Sequence, residues 1–373
     1  MFRIATLADL HWNAVSPEKM YHQLQDIFLT YIKKHPVNMV VIAGDYYDSI
    51  ISLNSKSAKL SMLFMTNLMN VAKETGVQWI RIIKGTSSHD NNQLENLKVF
   101  ENDDQIDFKI YSSVTDEEIH GYRILFLPEE YMKDIEEFYA DYLEKTYDII
   151  FGHGMFKETS FVASKQESAV TLSKAPVFNS DRMISICNGP ILFGHIHTKC
   201  TIKKNIQYIG SFSRWVYGEE EPKGFFITEF GDDHTWKNTF VENTEAERYD
   251  TVVVTNVNKY SSAPEAFFQE METLRKDYLR ISFVLDNSED QTYMLNLIRE
   301  YYAKNPNYKL KITDKTIALR DAKQEKRMDE LLEKYGFIFD TNLSHAEKIH
   351  RFIQVRDKQD ISTEEIRQIL SLS

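Results

Sequence analysis

The 373-residue chain lacks three features that would each define a class of protein. It has only two cysteines, Cys187 and Cys200, without a Cys-x-x-Cys spacing, so we expect two reduced thiols rather than a disulfide. Cys200 follows His197 by three residues, which leaves open that its thiol is an additional metal ligand. No apolar run approaches the ~20 residues that a membrane-spanning helix needs, and the N-terminus is too short for a signal peptide. We therefore expect a cytoplasmic protein with no membrane partner.

Positive charge is also in deficit. The net charge is −12 at pH 7, which argues mildly against a nucleic-acid binder because such proteins more often carry a basic excess. Two local groups oppose this trend: three lysines follow His197, and residues 304–327 carry eight basic against three acidic residues. The lysines are Lys199, Lys203 and Lys204. Such groups bind phosphates or form a solvated surface, and charge alone does not decide between the two.

The order of apolar runs predicts an α/β protein with an appendage. Residues 1–230 alternate short apolar runs with amphipathic stretches, which is typical of βαβ units. After about residue 245 the pattern predicts a small α+β region. We divide the chain into residues 1–245, 246–322 and 323–373, the last ending in two short helices. The predicted helix 54–75 has two apolar stripes, of which the second faces either a partner subunit or the protein's own fold.

Acidic and imidazole side chains follow successive predicted strands. Asp9 and His11 lie two apart in an extended segment and so share a face, as do His195 and His197. Other strand ends carry Asp45, then His89 with Asp90, then His153. Each motif alone is typical of an ordinary turn, but five in succession indicate two metal ions. Mixed imidazole and carboxylate ligands favour Mn²⁺, Fe²⁺ or Zn²⁺ over Mg²⁺ or Ca²⁺.

The order of the motifs, D-x-H, G-D-x-x-D, a variant of G-N-H-D, G-H and G-H-x-H, resembles that of the calcineurin-like metallophosphoesterases. It is most similar to the nuclease subunit of the SbcCD and Mre11–Rad50 complexes, including bacteriophage members. Residues 208–211, Arg214 and the acidic segment 218–224 are similar to a segment of those nucleases. The resemblance covers residues 1–230 strongly and the C-terminus only by position. It implies a four-layered α-β-β-α sandwich, a smaller α+β capping domain at 246–322 and C-terminal helices.

The resemblance also implies a role for each motif. One metal ion, expected to be Mn²⁺ with Mg²⁺, Fe²⁺ and Zn²⁺ as alternatives, would bind Asp9, His11, Asp45 and His197. The other would bind Asp45, His153 and His195. His89 would stabilise the transition state or protonate the leaving oxygen, and Asp90 would orient it.

One position departs from the family pattern. Ser88 precedes His89 where the family has an asparagine ligand, in a loop that is two residues longer. A serine hydroxyl is a poorer ligand than an amide carbonyl. We therefore expect Ser88 to bind the second ion weakly or not at all, and the second site to be the weaker one.

The resemblance implies a Mn²⁺-dependent DNA exonuclease and endonuclease in DNA repair, recombination or replication. It would act as a homodimer with an SbcC/Rad50-like SMC-type ATPase, on which the C-terminal helix–loop–helix at 323–373 would dock; packing of these helices on the capping domain is the alternative. Two other functions remain open: a metallophosphoesterase on nucleotides or phosphoproteins, and a non-catalytic DNA-end scaffold.

Overall fold

The computed structural model describes residues 1–131, 134–159, 176–254, 264–272, 278–283, 288–304, 309–314, 343–357 and 362–366. The chain divides into two compact units, the first made chiefly of Met1–Thr251 and the second of most of the remainder. The predicted boundary at residue 322 and most of the basic group at 304–327 lie outside the described residues.

The first unit is built on two six-stranded sheets. The strands of this unit are β1 (Phe2–Leu7), β2 (Met39–Ala43), β3 (Trp79–Ile83), β4 (Asp107–Tyr111), β5 (Thr115–Ile119), β6 (Tyr122–Leu127), β7 (Ile149–His153), β8 (Met155–Phe156), β9 (Val177–Phe178), β10 (Ile191–Gly194), β11 (Cys200–Lys203), β12 (Ile206–Tyr208), β13 (Gly224–Phe230) and β14 (Trp236–Glu242). The first sheet has the order β14-β13-β1-β2-β3-β4, and the second has the order β11-β12-β10-β7-β6-β5. The short strands β8 and β9 pair only with each other.

Helices cover the outer face of each sheet. They are α1 (Pro17–Gln23), which continues through a π-helical segment (Leu24–Leu29) into α2 (Thr30–Lys34), then α3 (Lys56–Thr75), α4 (Ile135–Phe138), α5 (Ala140–Leu143) and α6 (Ser180–Ile186), with 3₁₀ segments at Gln93–Asn102 and Lys157–Thr159. Helices α1 to α3 pack on the first sheet, and α4 to α6 pack on the second. A third core lies between the sheets and contains Ile4, Val41, Phe151 and Leu192. The predicted four-layered α-β-β-α sandwich is therefore confirmed.

Helix α3 shows how local signals and burial together set an element. The Ser55 hydroxyl accepts a hydrogen bond from the Ala58 amide at 3.1 Å and caps the start of the helix, and Gly76 ends it in a left-handed conformation at φ +81°. Met65 and Met69 of its second apolar stripe are buried in the same core as the first stripe. That stripe therefore faces the protein's own fold.

The second part of the chain has the predicted order of elements. The strands β15 (Tyr249–Val254), β16 (Tyr278–Phe283) and β17 (Lys309–Asp314) form a small sheet in that order, and the helices α7 (Pro264–Glu272) and α8 (Ser288–Ala303) alternate with them. Helix α9 (His345–Asp357) begins with a capping box, in which Ser344 and Glu347 exchange hydrogen bonds. Within the described ranges, no helix has the length and apolarity to cross a membrane.

Two local predictions were wrong. The sequence near 132–145 predicts one helix, but its described part, from residue 134, contains only the short helices α4 and α5. Strand β5 was not predicted, because its sequence Thr-Asp-Glu-Glu-Ile is mostly charged. It lies at the edge of the second sheet, where Glu118 is exposed, Glu117 pairs with Arg81 at 2.9 Å and Asp116 pairs with Lys145 at 3.1 Å.

The core between the sheets holds the strand ends in place, and Leu192 tests its contribution. Leu192 is fully buried there, so Leu192→Ala should lower the free energy of unfolding by about 2–5 kcal/mol in urea denaturation. Leu63 on α3 is 43% exposed, so the same substitution should cost less than about 1 kcal/mol. Equal costs at both positions would contradict the assignment of this core.

Candidate metal centre

The candidate ligands meet where parallel strands of both sheets end. Strands β1, β2 and β3 run parallel in the first sheet, and β6, β7 and β10 run parallel in the second. Ligands of α/β proteins bind outside the carboxyl ends of such strands, because the loops there converge. Asp9 and His11 follow β1, Asp45 follows β2, His153 ends β7, and His195 follows β10.

Three overlapping groups of side chains have ligand atoms within 4.8 Å of one another. They are Asp9, His11 and His197; Asp45, His153 and His195; and His11, Asp45 and His89. Because His11 and Asp45 each occur twice, the three groups form one continuous cluster. The structure thus brings together every acid and imidazole that the sequence predicts as a ligand.

Three imidazoles are held by hydrogen bonds from Nδ1, which leaves Nε2 directed elsewhere. His153 Nδ1 donates to the Ala43 carbonyl at 2.9 Å, and His197 Nδ1 donates to Glu219 Oε1 at 2.9 Å. His89 Nδ1 donates to the Asp48 carbonyl. Metal-binding histidines are commonly oriented by such a bond from the second ring nitrogen, because it fixes both the tautomer and the ring plane.

The donor atoms fit a cation. Within the described part of the chain, both ring nitrogens of His11, Nε2 of His153 and Nδ1 of His195 are buried without a hydrogen-bond partner. Leaving a buried polar atom unsatisfied costs about 1–3 kcal/mol, so four such atoms in one cluster require an explanation. Nitrogen lone pairs beside buried carboxylates are the donor set that Mn²⁺, Fe²⁺ and Zn²⁺ accept.

The charges around these atoms favour a positive ion. Burial acts to lower the pKa of His153, but the carboxylates of Asp45, Asp9 and Glu129 together outweigh it, and the pKa of His153 lies well above its ordinary value. Burial acts to raise the pKa of Asp45, yet His153 and His11 hold it well below its ordinary value. Asp45 therefore stays ionised at the centre of the cluster.

The backbone at the ligands is strained. Of eight non-glycine residues with positive φ in the described ranges, four are candidate ligands: Asp9 (+49°), His11 (+45°), Asp45 (+48°) and His195 (+90°). This region of backbone conformation is sparsely populated by residues with a side chain, and such strain concentrates at functional sites. The fold stabilises these conformations because they aim side chains from separate loops at one point.

The loop at residues 85–90 differs from its expected role. Ser88 is exposed, whereas Thr86 is buried and donates its amide to Asp45 Oδ1 at 2.6 Å. Asp90 does not orient His89 as expected: its two oxygens accept hydrogen bonds from the amides of Tyr47 (3.0 Å) and Gly85 (2.7 Å). Asp90 therefore ties the loop after β3 to the loop after β2.

Sequence reasoning missed two buried acids, Glu129 and Glu219. Glu129 follows β6, and its Oε2 lies 3.2 Å from His195 Nδ1 and 3.6 Å from His153 Nε2. The same rule that found the other ligands, an acid just after an apolar strand, applies to Leu127-Pro128-Glu129. Glu219 lies in the acidic segment 218–224; besides His197 it pairs with the buried Lys223, whose Nζ donates to the His197 carbonyl at 2.8 Å.

Neither the lysines nor Cys200 joins the cluster. Lys203 pairs with Asp181 at 2.6 Å, and Lys199 lies 3.8 Å from the centre of the Phe240 ring. Cys187 and Cys200 are free thiols, and burial raises the pKa of Cys200 to about 11. Among the described residues, no candidate metal group contains Cys200.

Comparison with known proteins finds solved structures that are similar at low sequence identity. No model of a protein family and no curated protein matches the chain. A dimetal phosphatase from Danio rerio is 11% identical, with a TM-score of 0.34 over 65% of this chain and 99% of that one. A glutamine-dependent NAD⁺ synthetase from Acinetobacter baumannii is 11% identical, with a TM-score of 0.29 over 96% of this chain and 71% of that one. At these values neither likeness bears on function.

Gly44 tests whether close backbone packing positions His153. A Cβ at Gly44 would lie 2.0 Å from His153 Nδ1, whereas a Cβ at Gly76 would meet nothing within 4 Å. Both glycines have similar φ (+86° and +81°), so the alanine variants share a strain of about 1–2 kcal/mol. Gly44→Ala should also displace the His153 ring and abolish binding of one Mn²⁺ in calorimetric titration, while Gly76→Ala should bind metal normally. Equal metal binding by both variants would contradict this positioning.

Proposed function

We propose that the chain is a metal-dependent phosphoesterase of the metallophosphoesterase type, with two adjacent divalent ions. The observation that carries the proposal is the continuous cluster in which Asp45 links the group at His11 to the group at His153 and His195. A carboxylate between two ligand groups suits a bridge between two ions. When bound, such a pair activates a water molecule and neutralises charge on a phosphoryl group during in-line displacement.

His89 is placed to act on the leaving oxygen. Its Nδ1 hydrogen is held by the Asp48 carbonyl, and its ring packs against that of His11 with centroids 4.8 Å apart. The ring's Nε2 is the remaining site for a proton. An imidazolium in this position can donate that proton to a departing alkoxide, while Asp48 holds the ring. His89 also belongs to one ligand group, so metal titration must accompany any test of its role.

We further propose DNA as the substrate, cleaved as an exonuclease and endonuclease. The motif order and the segment 208–224 support this choice. Trp215 gives the site a partly buried aromatic rim beside His11 and His197, with ring centroids 4.7 and 4.8 Å away, on which a base can stack. Because Lys203 is engaged by Asp181, it contributes less free positive charge than its sequence position suggested.

The proposed assembly is a homodimer with an SMC-type ATPase partner of the SbcC/Rad50 kind. The capped helix α9 at the C-terminus supports it, because Ile349 on this helix is 36% exposed and available to a partner. Mn²⁺ is the proposed ion, and the cytoplasm is the proposed location.

The substrate proposal is tested by comparing duplex DNA with small phosphoesters. In Mn²⁺, purified protein should release nucleotides from linear duplex DNA faster than it hydrolyses p-nitrophenyl phosphate or a nucleoside monophosphate, and chelation should stop both reactions. Faster turnover of the small phosphoesters would favour a nucleotide or phosphoprotein phosphoesterase. Absence of any hydrolysis, with DNA ends still bound, would favour a scaffold.

The role of His89 predicts a separation of binding from chemistry. His89→Ala should lower the rate of DNA cleavage by about 10²–10⁴-fold, the usual contribution of a general acid, while the number of bound Mn²⁺ ions stays at the wild-type value. His22, on α1, provides a matched His→Ala control that should leave cleavage unchanged. Loss of a bound ion in His89→Ala would instead make His89 a ligand.

A further inference from the structure

The second ligand group, formed by Asp45, His153 and His195, has a fourth acidic neighbour. Glu129 Oε2 lies 3.2 Å from His195 Nδ1 and 3.6 Å from His153 Nε2, and Asp45 Oδ2 lies 3.3 Å from that same His153 nitrogen. Both imidazole nitrogens lack a hydrogen-bond partner, so these approaches are not hydrogen bonds of good geometry. Glu129 Oε2 therefore lies within 3.6 Å of a ring nitrogen of each imidazole in this ligand group.

The separations of 3.2 and 3.3 Å match those of ligands around one ion, and the third, 3.6 Å, is slightly longer. Two atoms that each bind an ion at about 2.1 Å lie about 3.0–3.5 Å apart in octahedral or tetrahedral geometry. Glu129 is also 3% exposed, and an ionised carboxylate is stable at such burial only when it is paired or binds a metal.

The Glu129 carboxylate is held from its outer side. The Tyr131 hydroxyl donates to Oε1 at 3.0 Å, and the Thr86 hydroxyl lies 3.1 Å from Oε2. The backbone amide of Glu129 donates to the Lys84 carbonyl at 3.0 Å, at the end of β3. The carboxylate is thus fixed before any ion arrives, as metal ligands usually are.

We propose that Glu129 is the fourth protein ligand of the second divalent ion, in place of the amide that the resembling nucleases supply from the loop after β3. The proposal rests on the two-metal function proposed above. It also explains why Ser88 can be exposed: the loop after β3 contributes Thr86 as a support for Asp45 and Glu129, and the ligand comes from the loop after β6.

A carboxylate in this position changes the strength of the site. The shell of the second ion then has two carboxylates and two imidazoles, where an amide would leave a single carboxylate. The additional negative charge strengthens the attraction for a divalent cation in a buried site. Replacement of the amide by the Glu129 carboxylate therefore makes the second metal site tighter. The serine in the loop after β3 had suggested a weaker second site.

The test is calorimetric titration of the full-length protein with Mn²⁺. Wild type should bind two ions. Glu129→Gln, which keeps the size of the side chain, should weaken the binding of one ion by at least about tenfold. Removal of a residue that only hydrogen-bonds a metal ligand already lowers metal affinity by about 10–100-fold. Glu130→Gln is the matched control, because Glu130 accepts a hydrogen bond from the Val114 amide and takes no part in the cluster. Ser88→Ala should also bind two ions with wild-type affinity.

Thermal unfolding gives a readout that needs neither substrate nor turnover. At one Mn²⁺ concentration well above Kd, the Tm of Glu129→Gln should rise less than that of wild type, since stabilisation of the folded state grows with the logarithm of the ratio of ligand concentration to Kd. If Glu129→Gln does not fold, Thr86→Val, which removes only the supporting hydroxyl, should show a smaller weakening of the same ion.

The outcomes separate this assignment from the proposed function. Wild-type binding of two ions by Glu129→Gln would overturn the assignment and leave the two-metal function intact. A weakened ion in Ser88→Ala, with none in Glu129→Gln, would return the ligand to the loop after β3. Loss of one ion in Glu129→Gln, in a protein that hydrolyses no phosphoester, would support the assignment and overturn the function. A wild-type protein that binds one ion would overturn both.

Discussion

The Asp45 carboxylate is the point on which the arrangement of the first unit depends. Its Oδ2 lies 3.5 Å from His11 Nε2, on the first sheet, and 3.3 Å from His153 Nε2, on the second. The Thr86 amide holds its other oxygen. A carboxylate can reach both sheets only because the core between them fixes their spacing. The packing that sets the distance between the two sheets therefore also sets the geometry of the site.

The same core maintains backbone that is unfavourable by itself. Left-handed φ at Asp9, His11, Asp45 and His195 would each cost about 1–3 kcal/mol in isolation. Asp9 accepts the His195 amide with both carboxylate oxygens, at 2.9 and 3.2 Å, so one strained turn is anchored by the side chain of another. The strained turns stabilise one another across the two sheets, and the buried strands beneath them supply the remaining free energy.

Much of this could be predicted from the sequence, and the exceptions have a common cause. Apolar runs fix where strands end, so Asp9, Asp45 and His153 could be identified as site residues. Contacts between the ends of different strands depend on the order of strands in two sheets, which no spacing along the chain reports. The contact of Glu219 with His197 is therefore not predictable from the acidic segment 218–224. Ser88 occupies the position of the family's asparagine ligand and was expected to bind weakly or not at all, whereas the longer loop brings Thr86, next to Gly85, into contact with Asp45.

Burial of several acids in one place links the metal centre to stability. Asp9, Asp45, Asp90 and Glu129 are each no more than 3% exposed. Burial, followed by repulsion from Asp45, raises the pKa of Asp90, while two amide hydrogen bonds oppose that rise. Protonated imidazoles or divalent cations are the two available sources of compensating charge, and cations supply more of it from a smaller volume. Folding of the first unit and occupancy of its site must therefore be thermodynamically coupled, since whatever binds this cluster of acids stabilises the sheets that hold it together.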